Sequence, residues 1–158
     1  IFCVRSDDAT AATAWTPAVG QHDGVTIAVL GNREPRRSAR VRDEVVEHCR
    51  ALRGRGLRTG LLTNNAAEFA ELWRPLIPLD ELFDDVVDSC EVGMRKPDPR
   101  IYELALDRLG VGAHEAVFVD DAPGNVRAAV AVGLAGVLFG PRREDVPAAL
   151  AELDRLLA

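Results

Sequence analysis

The sequence predicts an α/β fold, a doubly wound parallel sheet that carries helices on both of its faces. Short apolar runs alternate with amphipathic segments of helical period from residue 41 onward. The connections between these segments are short, and glycine or proline marks most of them. Strands that alternate with helices through short connections are typical of a parallel sheet with helices packed on both sides.

The first part of this region predicts two helices and two strands. Apolar residues at helical spacing predict an amphipathic helix that begins near Val41 and that Gly54 ends. The short apolar run over residues 57–63, broken by Arg58, predicts a buried strand, followed by a helix over residues 66–73. The apolar pair at residues 86–87 predicts a further, short strand.

The remainder of the chain continues this alternation. Asp98 and Pro99 predict a helix start, because an Asp side chain accepts free backbone N–H groups and proline fits the first helical position. Residues 116–119 form the most strand-like segment of the sequence, which ends abruptly at Asp120 and Asp121. Further elements are predicted at residues 125–132 (helix), 135–139 (strand) and 146–157 (helix).

The length and composition exclude several classes of protein. A chain of 158 residues with 47% hydrophobic and 28% charged residues fits one globular domain. The net charge of −6 argues against nucleic acid as a partner, because no face is expected to be strongly positive. The most apolar stretch, residues 128–139, is shorter than the roughly 20 residues that cross a bilayer, so no membrane partner is expected. The three cysteines show neither metal-ligand spacing nor a disulfide pattern, and we expect a cytoplasmic protein.

Polar residues lie at the expected carboxyl edge of the sheet, where open α/β sheets bind ligands. Thr63 and Asn64 could present a hydroxyl and free backbone N–H groups to a phosphate, or could cap the following helix. The adjacent carboxylates of Asp120 and Asp121 repel each other, which a bound Mg²⁺ ion would compensate. In the alternative interpretation they cap the next helix, whose N-terminus stabilises negative charge. Lys96 is the one lysine among 19 basic residues, which favours a position that needs a compact ammonium over an ordinary surface site.

Three sequence strings, taken in order, resemble the motifs of the haloacid dehalogenase-like (HAD) hydrolase superfamily. They are Leu-Leu-Thr-Asn-Asn (residues 61–65), Gly-Met-Arg-Lys-Pro-Asp-Pro-Arg-Ile-Tyr (93–102) and Val-Phe-Val-Asp-Asp-Ala-Pro-Gly-Asn-Val (117–126). The sequence looks most similar to the branch that contains the phosphatase-like N-terminal domain of bifunctional epoxide hydrolases. The resemblance covers about residues 41–140 and implies a HAD-like, Rossmann-type fold.

The resemblance also implies how the site would bind phosphate. The hydroxyl of Thr63 would bind the transferred phosphoryl group, with Asn64 beside it. Lys96 would neutralise the charge of the phosphoryl group and of the nucleophile. These three residues therefore become the candidate catalytic and phosphate-binding residues.

A magnesium site follows from the same resemblance. Asp120 and Asp121 would hold Mg²⁺, with Asp121 as the more direct ligand and Asn125 as a supporting residue. The implied activity is Mg²⁺-dependent hydrolysis of a small phosphorylated metabolite through an aspartyl-phosphate intermediate. The sequence specifies neither the substrate nor the oligomeric state.

The first motif of the family, an apolar strand that ends in Asp-x-Asp with a nucleophilic first aspartate, is not found. Two segments have its outline, but Ser6 and Gln21 stand where the nucleophile belongs. We therefore expect residues 1–40 to be a remnant of a helical cap, and residues 41–158 to be a HAD-like core without its first strand and nucleophile. In the alternative interpretation Asp8 or Asp23 is a degenerate remnant, and the chain is a catalytically inactive HAD-like binding protein.

Overall fold

Among the described residues, five strands form one sheet. The structure, a computed structural model, describes residues 2–4, 43–68, 73–140 and 142–158. The strands are Phe2–Val4 (β1), Arg58–Thr63 (β2), Asp85–Asp88 (β3), Ala116–Asp120 (β4) and Ala135–Leu138 (β5). Their order across the sheet is β3-β2-β1-β4-β5.

Helices alternate with these strands along the chain. The α-helices are Asp43–Gly54 (α1), Leu79–Leu82 (α2), Ser89–Val92 (α3), Pro99–Leu109 (α4), Pro123–Val132 (α5) and Val146–Leu156 (α6). Short 3₁₀ helices lie at Arg74–Leu76, Ala113–Glu115 and Arg143–Asp145. Residues 67, 68 and 73, within the predicted helix over residues 66–73, are also helical. The α/β class is thus confirmed, whereas α2 and α3 escape prediction because four residues show no helical period.

Strand β1 runs in the opposite direction to the other four strands. β2 and β3 pair in parallel, as do β4 and β5, whereas β1 is antiparallel to both β2 and β4. The sheet therefore differs from the all-parallel expectation at this one strand. The slot between two parallel strands exposes backbone N–H and C=O groups on both sides, and a short strand can pair with them in either direction.

The direction of β1 decides which edge of the sheet it ends on. Its last residue, Val4, pairs with Arg58 and Ala116, the first residues of β2 and β4. β1 therefore ends at the edge opposite to the carboxyl ends of β2 and β4.

The position of β1 affects the predicted division of the chain into residues 1–40 and residues 41–158. The sequence predicts residues 1–40 outside a core that lacks its first strand. In the structure Phe2–Val4 fills the central position of the sheet, in the reverse direction. The candidate remnants Asp8 and Asp23 lie outside the described residues.

Helix α4 shows how the local sequence sets the ends of an element. The Asp98 carboxylate accepts a hydrogen bond from the Arg100 backbone N–H at 3.0 Å, and Pro99 takes the first helical position. Gly110 ends the helix with a φ of 69°, a left-handed conformation that glycine adopts without a Cβ clash. The buried side chains of α4 are Ile101, Tyr102, Ala105, Leu106 and Leu109. The helix is thereby anchored in the core immediately after the loop that carries Lys96.

The core is centred on β4, whose five residues are all buried. The Phe118 ring of β4 meets the Tyr102 ring of α4 edge-on, with centroids 5.2 Å apart and an interplanar angle of 89°. This contact packs the first part of α4 against the middle of β4. None of the described helices combines the length and the apolar character that crossing a membrane requires.

Candidate active site

Three strands end in buried polar residues at the same edge of the sheet. Thr63 ends β2, Asp88 ends β3 and Asp120 ends β4, with exposed fractions of 5%, 0% and 1%. Because these strands run in one direction, their carboxyl ends share an edge. A buried hydroxyl or carboxylate costs free energy unless it is hydrogen-bonded, so each of the three depends on its neighbours.

Lys96 lies buried between two of these strand ends. Its Nζ donates to Oδ2 of Asp120 at 2.7 Å and to the carbonyl of Leu62 at 2.9 Å, and it lies 5.6 Å from the centroid of the Phe118 ring. An ammonium has three donors, and the hydrogen bonds among the described residues use two of them. The third donor can therefore serve an anion. A guanidinium is broader and planar, which explains why an arginine-rich chain has a lysine here.

The side chain of Asn64 holds the backbone of Lys96. Its Nδ2 donates to the Lys96 carbonyl at 2.9 Å, and its Oδ1 accepts from the Lys96 N–H at 2.9 Å. This reciprocal pair fixes the point at which the lysine side chain leaves the backbone.

Both carboxylate oxygens of Asp120 accept hydrogen bonds. Oδ2 faces Lys96, while Oδ1 accepts from the Ala122 N–H at 2.8 Å and from Nδ2 of Asn125 at 3.0 Å. Burial alone would raise the pKa of this carboxyl, but the Lys96 ammonium and the Ala122 N–H hold the pKa below its ordinary value. The Tyr102 hydroxyl donates to the Asn125 carbonyl at 3.0 Å, so α4 helps to position Asn125. Asp120 thus stays ionised and joins Lys96 to the loop after β4.

Asp121 is half-buried beside Asp120. Burial raises the pKa of its carboxyl, and the negative charge of Asp120 raises it further. The described residues contain no group of three or more His, Cys, Asp and Glu side chains that could hold a metal ion. Mg²⁺, however, keeps several waters and takes one or two carboxylates together with phosphate oxygens. Asp121, together with the ionised Asp120 beside it, can supply the one or two carboxylates that such a Mg²⁺ site needs.

A second polar group at this edge, formed by Asn65, Asp88 and Ser89, is one that the sequence patterns do not predict. Nδ2 of Asn65 donates to Oγ1 of Thr63 at 3.2 Å and to Oδ2 of Asp88 at 3.3 Å. The Ser89 hydroxyl accepts from the Asn65 N–H at 2.9 Å and donates to the Asn65 carbonyl at 3.1 Å. The signal in the sequence is that Asn65 and Asp88, like Thr63, stand at the ends of apolar strand segments.

The structure places the sequence-predicted site residues at one edge of the sheet. They are Thr63, Asn64, Lys96, Asp120, Asp121 and Asn125. A hydroxyl, a fixed ammonium and two carboxylates in one place can bind an anion together with a divalent cation.

A family model matches most of the chain. It is that of the haloacid dehalogenase-like hydrolases, and it covers residues 8–133. The chain belongs to this family. The HAD-like resemblance of the three sequence strings is thereby confirmed, as is membership of a family of hydrolases.

Two curated relatives and one solved structure illustrate the similarity of this HAD-like chain. Bifunctional epoxide hydrolase 2 of Rattus norvegicus is 34% identical over 110 residues, which are 67% of this chain and 19% of that protein. Phosphoglycolate phosphatase of Rhodospirillum rubrum is 38% identical over 108 residues, 66% of this chain and 45% of that protein. The structure of a predicted HAD-like family hydrolase from Porphyromonas gingivalis matches with a TM-score of 0.63 and 28% identity, over 72% of this chain and 58% of that one. The chain therefore spans less than half the length of these two curated relatives.

Proposed function

We propose that this site hydrolyses the phosphate ester of a small phosphorylated metabolite with the help of Mg²⁺. The observation that carries the proposal is the buried ammonium of Lys96, which lies between Asp120 and the Leu62 carbonyl, next to Thr63. A fixed cation in a site with little water stabilises the negative charge of a transferring phosphoryl group. The similarity to a phosphoglycolate phosphatase supports a phosphate ester over a haloacid as the substrate class.

The polar side chains divide into those that contact the phosphoryl group and those that hold them. Thr63 would donate its hydroxyl to one phosphoryl oxygen, and Lys96 would donate its remaining N–H to another. The backbone N–H of Asn64 would add a further donor at the strand end. The side chains of Asn64 and Asn125 have a supporting role, because their hydrogen bonds hold Lys96 and Asp120 in place.

Asp121 and Asp120 would hold the Mg²⁺ ion, with Asp121 as the direct ligand. When bound, the ion neutralises phosphoryl oxygens and polarises the ester bond. The Asp121 carboxyl, whose pKa is raised by burial and then by the charge of Asp120, gains stabilisation from a nearby cation. Asn125 supports this arrangement through its hydrogen bond to Asp120.

The proposed reaction passes through an aspartyl-phosphate intermediate and therefore needs a nucleophilic aspartate. At this edge of the sheet the described residues do not supply one, because Asp120 is held by Lys96 and β1 ends at the opposite edge. Because the sequence shows no apolar strand that ends in Asp-x-Asp, we propose that the nucleophile is missing from this chain. We expect the 158-residue chain to bind phosphate with Mg²⁺ and to show little or no turnover.

Calorimetry with inorganic phosphate and an assay with p-nitrophenyl phosphate test the proposal together. We expect phosphate binding that requires Mg²⁺ and that is lost in Lys96→Met. Arg100→Met is the matched control, because its guanidinium pairs with Asp98 on the surface and it is 70% exposed. Absence of phosphate binding in the presence of Mg²⁺ would overturn the proposed function. Robust Mg²⁺-dependent phosphate release would overturn the expectation that the chain lacks its nucleophile.

A catalytically inactive HAD-like binding protein is the second candidate function. The observation that favours it is the reversed β1, which occupies the slot between β2 and β4. Adding an apolar strand that ends in Asp-x-Asp before residue 1 separates the two candidates. Turnover by the extended chain supports the hydrolase, and phosphate binding that persists without turnover supports the inactive protein.

We also propose the cytoplasm as the location of the protein. Cys49 and Cys90 are free thiols, as expected in a reducing compartment. Burial raises the pKa of the Cys49 thiol to about 12, so this thiol stays protonated and packs as an apolar side chain. Cell fractionation tests the proposal, which predicts recovery of the protein with cytosolic markers.

A further inference from the structure

We infer that Asn65 and Asp88 are positioning residues that set the direction of the Thr63 hydroxyl. The inference rests on the proposed function, because it concerns how Thr63 binds a phosphoryl oxygen. Asp88 acts on the amide of Asn65, and that amide acts on the hydroxyl. Both residues therefore influence phosphate binding through Thr63.

The carboxylate of Asp88 determines which way the Asn65 amide faces. An ionised carboxylate accepts hydrogen bonds and cannot donate them, whereas an amide has a donor end and an acceptor end. The atom of Asn65 that lies 3.3 Å from Oδ2 of Asp88 must therefore be the amide nitrogen. Asp88 is 0% exposed and forms no ion pair within the described part of the chain, so its stabilisation depends on donors such as this amide and the Cys90 N–H.

The same amide determines how the Thr63 hydroxyl can be used. Nδ2 of Asn65 donates to Oγ1 of Thr63 at 3.2 Å, so the hydroxyl oxygen is the acceptor in this contact. A threonine hydroxyl has a single proton, which must then point to a different acceptor. No hydrogen bond among the described residues uses that proton. It is therefore available to a phosphoryl oxygen at the edge of the sheet.

Strands β2 and β3 fix the backbone around the hydrogen bonds that link Asp88, Asn65 and Thr63. Thr63 and Asp88 are register partners in the parallel pairing of β2 and β3. The Ser89 hydroxyl bonds to both the N–H and the carbonyl of Asn65, at 2.9 Å and 3.1 Å. The Asn65 side chain thus starts from a fixed point between its two partners, which is what a positioning residue requires.

Calorimetry with inorganic phosphate and MgCl₂ tests the inference. Asp88→Asn keeps the shape of the side chain, but it lets the Asn65 amide turn its oxygen toward Thr63 and compete for the hydroxyl proton. Asn65→Ala removes the donor. We expect each variant to bind phosphate about 3- to 10-fold more weakly, the effect of one hydrogen bond. In a Thr63→Val background the same substitutions are expected to have no further effect, because the hydroxyl through which they act is gone.

Asp84→Asn is the matched control, because the Asp84 carboxylate accepts from the Thr59 N–H at 2.6 Å, away from the carboxyl edge of the sheet. We expect it to change thermal stability and to leave the phosphate affinity as in the wild type. Circular dichroism verifies folding, and Asn65→Ala decides the test if Asp88→Asn does not fold.

Two different failures are distinguishable in this experiment. A wild-type chain that does not bind phosphate with Mg²⁺ overturns the proposed function, and the inference falls with it. Wild-type binding that a folded Asn65→Ala leaves unchanged overturns the inference alone. The same holds if Asn65→Ala weakens phosphate binding equally in the wild-type and Thr63→Val backgrounds, since that result indicates a general structural effect.

Discussion

Replacing Lys96 with methionine would remove the buried ammonium and keep most of the side-chain volume. Asp120, which is 1% exposed, would lose the cation that lies 2.7 Å from its Oδ2. Removing one partner of a buried ion pair costs about 3–5 kcal/mol, because the other charge stays buried without compensation. In a domain of this size 1 kcal/mol corresponds to about 2–4 °C in Tm, so we expect Lys96→Met to lower Tm by about 6–20 °C.

Thermal unfolding followed by circular dichroism at neutral pH measures this effect, and a double-mutant cycle isolates its cause. In an Asp120→Asn background the buried Lys96 ammonium itself has no carboxylate partner, so Lys96→Met removes that unpaired charge and is expected to cost nothing or to stabilise the fold. The exposed control Arg100→Met is expected to unfold close to the wild-type Tm. A Lys96→Met cost that is equally large in both backgrounds would refute the assignment of the loss to the uncompensated Asp120 carboxylate.

Other substitutions test separate parts of the structure. Asp121→Asn is expected to abolish the effect of Mg²⁺ on phosphate binding in calorimetry, and Mg²⁺ that still strengthens binding contradicts the assignment of this ligand. Burial lowers the pKa of His48 below its usual 6.5 and outweighs the opposing effect of Asp154. As the pH falls, the imidazole therefore takes up a proton in the unfolded chain before it does so in the folded chain. The free energy of unfolding then decreases as the pH drops below 6.5. In urea unfolding, His48→Gln is expected to lose less stability than the wild type between about pH 7.5 and about pH 5.5, and equal losses would exclude His48 as the cause. Gly133 has a φ of 109°, so Gly133→Ala is expected to lower the free energy of unfolding by about 1–2 kcal/mol. In Gly54→Ala the new Cβ meets nothing within 4 Å, and this substitution is expected to raise the free energy of unfolding by about 0.4–1 kcal/mol. A higher Tm for Gly133→Ala than for Gly54→Ala would contradict this reasoning.

The strands that the sequence predicts, β2 to β5, each contain an apolar segment of at least two residues. β2 and β4 are buried along most of their length, and a buried parallel strand needs apolar residues at successive positions. β1 has three residues, too few for any pattern. Its place depends on backbone pairing with β2 and β4, which lie more than fifty residues further along the chain. Such pairing is a property of the folded sheet and is not visible in a local segment.

The candidate site likewise contains residues that the sequence indicates and a contact that only the folded structure reveals. Lys96, Thr63 and Asp120 stand out because polar residues follow apolar segments and because lysine is rare in this chain. The link between Asn65 and Asp88 depends on the register of β2 against β3, which places Thr63 beside Asp88. The sequence shows that both residues are polar, but only the register brings them together.

A crystal structure grown with Mg²⁺ and tungstate, a heavy-atom mimic of phosphate, tests the central claim most directly. Anomalous density is expected at the carboxyl edge of the sheet, within hydrogen-bond distance of the Thr63 hydroxyl and the Lys96 ammonium, with the metal on Asp121. Tungstate bound elsewhere, or side chains of Thr63 and Lys96 that point to separate regions of the protein, would contradict the account.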